Sequence, residues 1–429
     1  MKAKSNIIYK NMALIVALMN IAFWDYFDNL LAASPFVILV VEAGIIWILR
    51  KSIELIEIKK VIVLSFIILF HQLVCMLQGY TSMAVFAKQY IMIVVCYVCY
   101  MIIFSGFSVK TIFKGYYVFA IITSFVVFFQ EIVVLLKIPI IDKIPIVFDF
   151  TAYTYYVFAG LIRANAFFRE PSFLVYALTP AVYVSLLIII NKFKETGKVY
   201  SKIFALMIVL SYLLSFSSIG LIGLMVMVAI IIIKGNWSWK TVLTILSAIV
   251  FFVVVYSTVP DVKMRVDDTI EALTVQDIKE LGAADVNMSS ITLISHVHLA
   301  KTMFVETTGW GVGLGAYGEN YDKYMPEISE YSYLLGLNKE DANSMFLRMI
   351  GELGVLGVVL LIATIIHYYP TKVSKNDISY QYISDSILVL IGLRLLRQGN
   401  YTHGGFFFFV CMYILIYYEV KQKSKNKER

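Results

Sequence analysis

The chain has 429 residues, 60% of them hydrophobic and 15% charged, with mean hydropathy +0.81 and formal net charge +7. A soluble domain carries roughly a quarter of its residues charged, so a soluble globular enzyme is excluded and a polytopic membrane protein is expected. The basic tail, KQKSKNKER, reads as a cytoplasmic anchor and not as a nucleic-acid contact.

A spanning helix needs about 20 apolar residues. Twelve such segments are expected, near 11–31, 34–49, 61–78, 83–104, 112–136, 172–190, 203–217, 219–233, 241–258, 344–367, 378–396 and 403–418. The seventh and eighth share one apolar run, interrupted at Ser215-Phe216-Ser217-Ser218. That polar knot fits either a tight turn or one long helix; two helices make the charges balance. With both termini cytoplasmic, the inner segments are 1–10, 50–60, 105–114, 191–202, 234–240, 368–377 and 419–429. Together with adjoining helix ends they hold 22 Lys and Arg against 8 Asp and Glu, whereas the rest of the chain holds 14 against 21. Basic residues thus gather on one side, as the positive-inside rule requires. The start, MKAKSNIIYKNMALIV, is basic then apolar but lacks the small-residue cleavage site of a signal peptide. The expected class is an all-α polytopic membrane protein, one domain over 1–429, with a large outer loop between helices 9 and 10.

Two outer segments are long. Residues 137–171 are rich in Tyr and Phe, as expected of a helix or hairpin at the membrane interface. Residues 259–343 hold about half of the acids, an amphipathic stretch (MSSITLISHVHLAKTMFVET) and a glycine-rich segment (GWGVGLGAYGEN). A loop of that length in a compact protein is usually functional. The glycines lack the order of a dinucleotide fingerprint, so a flexible loop beside a substrate groove is expected.

Charge at a membrane boundary is costly and marks candidate function. Arg163, Arg169 and Glu170 lie in RANAFFREPS, just before Pro171 opens a hydrophobic run. Arg163 and Glu170, seven apart, share one face if the segment is helical. Two guanidiniums suit a diphosphate because each binds two oxygens at once; the plainer role is a salt bridge holding a loop. In DANSMFLRMIGELGVLG, Asp341 or Ser344 fits a helix N-cap and Arg348 pairs with Glu352 one turn on. Gly351, Gly354 and Gly357 permit close helix packing. Arg394 and Arg397 end the eleventh helix on the outer side, against the positive-inside trend, where they bind an anionic lipid or snorkel to headgroups.

His296, His298 and His403 are candidate bases, since imidazole titrates near neutral pH, though packing is the commoner role. His296 and His298, two apart on a helix, do not share a metal. Asp25 and Asp28 form either a divalent-metal pair or a solvated helix end. Cys96 and Cys99 make a CxxC inside an apolar run, and with Cys75 and Cys411 are expected to be buried structural thiols. Tyr153, Tyr155, Tyr156 and Tyr317 are candidates for stacking on sugar faces, with interfacial anchoring the simpler role.

Four stretches in order, RANAFFREPSFLVYAL, SFSSIGLIGLMV, GWGVGLGAY and NSMFLRMIGELGVLG, give the chain a family likeness. It resembles the O-antigen polymerase (Wzy) group of the polymerase–ligase family of bacterial surface polysaccharide assembly. The resemblance implies a glycosyltransferase of the cytoplasmic (inner) membrane with its active site on the periplasmic face. Its donor and acceptor would be glycans on undecaprenyl diphosphate, and a chain-length regulator would be a further partner. The growing glycan would pass to the non-reducing end of a new repeat unit. No metal or cofactor is implied. By motif position the diphosphate falls to Arg163 and Arg169, with Arg348, Arg394 and Arg397 as weaker assignments. Related ligases place a histidine before the Asn of the fourth stretch; here Ala342, preceded by Asp341, stands there. That favours a polymerase over a ligase and leaves the general base open among Glu170, Asp341, His296, His298 and His403. A transporter or flippase is the alternative from another class.

Overall fold

The computed structural model describes residues 2–23, 35–49, 58–138, 156–158, 160–195, 197–235, 239–258, 288–328, 336–371, 373–403 and 405–428, with 260, 263 and 267 besides. Among these residues the chain forms 14 helices and one short hairpin. The helices are α1 Lys2–Phe23, α2 Pro35–Leu49, α3 Ile58–Leu77, α4 Met83–Phe104, α5 Val109–Leu135, α6 Pro171–Ile189 and α7 Lys202–Leu213. There follow α8 Ser218–Ile233, α9 Trp239–Thr258, α10 Met288–Glu306, α11 Tyr317–Ile328, α12 Met345–Tyr368, α13 Ile378–Leu396 and α14 Phe406–Glu428. The strands β1 Tyr156–Phe158 and β2 Leu161–Ile162 pair antiparallel, so the aromatic segment 137–171 does contain a hairpin. Five helices (α3, α4, α5, α6 and α12) are long and apolar enough to cross a membrane, and the described residues form a predominantly helical membrane protein.

The bundle is organised around α6, of whose apolar window 83% is buried, against 17% for the peripheral α3. Pro171 occupies its first turn, where a missing N–H costs nothing. Pro180 interrupts the helix interior, and the ladder is repaired from outside. Tyr116 Oη of α5 donates to Ala177 O (2.7 Å) and accepts from Ala181 N (3.1 Å), inserting a hydroxyl where a backbone bond would be. The polar knot does separate α7 from α8, as a turn over residues 214–217.

The two ends of the bundle differ in chemistry. At one end Lys110 pairs with Glu195, Lys423 with Asp377, and Lys234 with Asp385, whose other oxygen accepts from Tyr369. Lys60 meets His367 there as well. These contacts bring together residues from six of the segments expected to be inner. At the other end lie the α3–α4 turn, the hairpin, the α7–α8 turn, α10, α11 and the loop 397–403. Asn320 Nδ2 donates to Tyr80 O (2.8 Å), and Ala164 N donates to Leu214 O (3.1 Å).

One expectation fails instructively. The glycine-rich stretch is a buried wedge, not a flexible loop: Gly311, Val312, Gly313 and Leu314 are all buried. The wedge lies against a break in α12 at Gly354 (φ 56°, ψ −139°). Val312 N donates to Gly351 O (2.8 Å), Gly313 N to Glu352 O (2.8 Å), and Val355 N to Gly309 O (2.9 Å). On its far side α3 holds the wedge, with His71 Nε2 donating to Trp310 O (2.8 Å) and Gln72 Oε1 accepting from Leu314 N (3.1 Å). Backbone groups freed inside a membrane helix need partners from the protein, and the wedge supplies them. The glycines of GELGVLG therefore do more than allow close helix packing.

Candidate functional site

The segment RANAFFREPS is not helical before Pro171, so Arg163 and Glu170 do not share a helix face. It is a turn-rich loop hung from the end of α5. Gln130 Oε1 accepts from Ala166 N (2.8 Å), Gln130 Nε2 donates to Asn165 Oδ1 (3.0 Å), and Glu131 Oε2 accepts from Ile162 N (3.2 Å). Asn165 Nδ2 closes the turn on Phe168 O (2.8 Å). This arrangement buries Arg163 and leaves Arg169 exposed. Glu170 is the N-cap of α6 without capping it; its Oε2 accepts from Ser172 Oγ (3.1 Å). Gln130 and Glu131 were not singled out in the sequence, although two adjacent polar residues ending an apolar helix (FFQEIVV) were the available signal.

The α6 N-terminus and the loop after α13 meet. Tyr176 Oη donates to Arg397 O (2.6 Å), and the Phe173 and His403 rings lie 5.0 Å apart. Arg394, 2% exposed, lies between the Phe406 and Tyr176 rings, 4.7 and 5.7 Å from their centroids, and donates to Asn400 O (3.2 Å). Gln398 N donates to Asn343 O (3.0 Å) and Ser344 Oγ to Leu395 O (2.7 Å), which fastens this loop to the start of α12. Gly399 is packed directly on Asp341 O, where a Cβ would overlap it.

Ser344 is the N-cap of α12, accepting from Leu347 N (3.3 Å). Asp341 instead stabilises the preceding turn, with Oδ1 accepting from Asn343 N (3.1 Å) and Asn338 Nδ2 (2.9 Å). The Arg348–Glu352 pair forms as expected, Nε to Oε1 at 2.9 Å, and is buried. The guanidinium also donates to Gln89 Oε1 of α4 (3.0 Å) and Gly399 O (3.4 Å), and lies 4.6 Å from the Tyr401 ring centroid. Arg348 is thus engaged on three sides by protein and pins α4, α12 and the 397–403 loop together. Burial and the nearby Glu352 carboxylate hold the Tyr401 phenol well above its usual pKa, with Arg348 opposing, so it stays protonated.

His296 is buried between α10 and α11. Its Nε2 donates to Leu337 O (2.9 Å), so Nδ1 is the acceptor for Tyr317 Oη (2.9 Å). Burial lowers its pKa, outweighing the Leu337 carbonyl and the Asp341 charge. Both ring nitrogens are occupied in a neutral imidazole, which makes His296 a packing residue between α10 and α11. His298, two residues on, is half-buried and apart from it. Tyr317 is fully buried and so presents no ring face to a sugar. Tyr153, Tyr155, Asp25 and Asp28 lie outside the described residues. All four cysteines are free and buried, and among the described residues no cluster of three or more His, Cys, Asp or Glu could hold a metal.

No family model, curated protein or solved structure matches the chain.

Proposed function

We propose that the chain is a polymerase of lipid-linked polysaccharide repeat units, working at the outer face of the cytoplasmic membrane with both termini inside. Twelve spans result if α1 to α9 and α12 to α14 all cross, and 137–171 and 259–343 then lie outside. The observation that carries this reading is the meeting of the first turns of α6, which directly follow RANAFFREPS, with the 397–403 loop at the end of the bundle away from the lysine pairs. The positive-inside rule assigns the lysine-rich end to the cytoplasm. That leaves Arg163, Arg169 and Arg397 at the outer face.

A diphosphate leaving group departs more easily when positive charge meets its developing charge. Arg169, exposed, is suited to that task, and Arg163, buried in the same loop, is assigned to it by motif position; Arg348, engaged on three sides by protein, and Arg394, between two rings, position the loops instead. The acceptor hydroxyl is a weak nucleophile, and a placed carboxylate would speed its attack by roughly 10²–10⁴-fold. Glu170, half-buried and next to Arg169 in sequence, is the preferred base, ahead of His403. The interrupted α12 is the observation that favours a transporter, since such folds bind substrate at broken helices. Here residues 309–313 already fill the break, which argues for a fixed scaffold.

Purified protein given lipid-linked repeat units from its own host should yield a ladder of polymer. Arg163→Ala and Arg169→Ala should leave single units intact and abolish the ladder. Full-length polymer from both variants would remove the assignment.

A further inference from the structure

The loop that carries Arg163 is gripped at alternate residues. Ile162 N donates to Glu131 Oε2 (3.2 Å), Ala164 N to Leu214 O (3.1 Å) and Ala166 N to Gln130 Oε1 (2.8 Å). These bonds bracket Arg163, from the residue before it to the third residue after it, and none of the acceptors belongs to the loop. Two are side chains of adjacent buried residues of α5, and the third is the backbone at the end of α7. Gln130 adds a further bond, its Nε2 donating to Asn165 Oδ1 (3.0 Å).

The backbone at the last grip is strained. Ala166 is buried and has φ 49°, in the left-handed region that glycine adopts without cost. A residue with a Cβ stays there only where its surroundings over-determine it, and such strain gathers at functional sites. A loop that merely joined β2 to α6 would have cheaper conformations open to it. The stretch that the strain and the three grips enclose is the one that bears Arg163.

We infer that Gln130 and Glu131 are positioning residues for Arg163: they fix the backbone from which its guanidinium meets a diphosphate. That the anion is a diphosphate rests on the polymerase reading. Guanidinium and phosphate pair through two directed bonds, so an error in the backbone passes into the contact. A misplacement of about 1 Å can cost roughly 10²-fold in rate. Glu131 sets the spacing by its length, and aspartate is shorter by one carbon–carbon bond, about 1.5 Å. Glutamine keeps that length. Glu131 Oε1 is buried with no hydrogen-bond partner among the described residues, so an amide in its place gives up no bond.

The test uses the full chain in nanodiscs of phosphatidylcholine, with polymer formation from lipid-linked repeat units and binding of farnesyl diphosphate read side by side. Glu131→Asp should lower the polymerisation rate about tenfold or more and weaken farnesyl diphosphate binding, with a melting temperature close to wild type. Glu131→Gln should rescue most of both. In an Arg163→Lys background Glu131→Asp should cost about twofold at most, because a flexible ammonium tolerates the shift. In an Arg169→Lys background it should cost the full factor. Equal costs in the two backgrounds, an aspartate variant as active as wild type, or a glutamine variant as impaired as the aspartate one overturns the positioning role. Should Glu131→Asp not fold, amide exchange in wild type decides. Ile162 and Ala166 amides protected like the interior of α5 support the grips, and exchange at the rate of an open loop overturns them. Weaker farnesyl diphosphate binding in Glu131→Asp, with no polymer from wild type, keeps the positioning role and removes the polymerase reading. Polymer made equally by wild type and Glu131→Asp does the reverse.

Discussion

Replacing Gly354 by alanine should come close to unfolding the protein. Gly354 sits at φ 56°, ψ −139°, a conformation that side-chain-bearing residues rarely adopt, and enforcing it costs about 1–3 kcal/mol. A Cβ there would overlap Gly309 O and press on the Trp310 backbone, neither of which is a flexible side-chain end. The wedge must withdraw, and the three backbone bonds joining 309–313 to 351–355 go with it. At roughly 1 kcal/mol net for each bond, the loss totals about 4–6 kcal/mol, against the ~5–15 kcal/mol that holds a typical protein folded. Gly392→Ala in α13 is the control, because nothing lies within 4 Å of its Cβ and alanine favours a helix. Size-exclusion profiles and melting temperatures in detergent should show aggregate or a lower melting point for Gly354→Ala, and wild-type behaviour for Gly392→Ala. Equal stability of the two would refute the wedge.

Arg348→Ala strands Glu352 in a fully buried setting and should cost about 3–5 kcal/mol, seen as a lower melting point; replacing both by leucine should recover much of it. His296, held neutral with a lowered pKa, gives stability that is present above the unfolded value of ~6.5 and lost as pH falls below it, because the unfolded chain takes up the proton first. Hydrogen exchange across α10 and α11, corrected for intrinsic rate, should quicken from pH 7 to pH 5 in wild type. It should be uniformly fast in His296→Gln; a flat wild-type profile would count against the buried neutral ring. Glu170→Gln should lower the polymerisation rate at saturating substrate more than it raises KM. An equal effect on both would assign Glu170 to loop structure.

Much of the helical layout was legible because membrane helices announce themselves by apolar length. The bounds of α4 and α13 coincide with those read from hydropathy, 83–104 and 378–396. The Arg348–Glu352 pair was legible from its four-residue spacing. What escaped was whatever depends on contacts distant in sequence. Nothing within GELGVLG tells that Gly354 breaks the helix, since the cause lies some forty residues earlier in the wedge. The helix-face argument for Arg163 and Glu170 failed because Gln130 and Glu131 of α5 supply the loop with better partners than a helix would. His296 looked like a base because composition cannot reveal that Tyr317 and Leu337 take both its nitrogens.

The interruption of α12 also bears on how the protein is assembled in the cell. Each half of α12, on either side of Gly354, falls short of the ~20 residues that a lone span requires. The segment 309–313 leaves the ribosome before α12 does, and in the proposed topology it crosses the bilayer first. Only then is there a template on which both halves can dock, so translocation of the preceding loop becomes a checkpoint for completing the bundle.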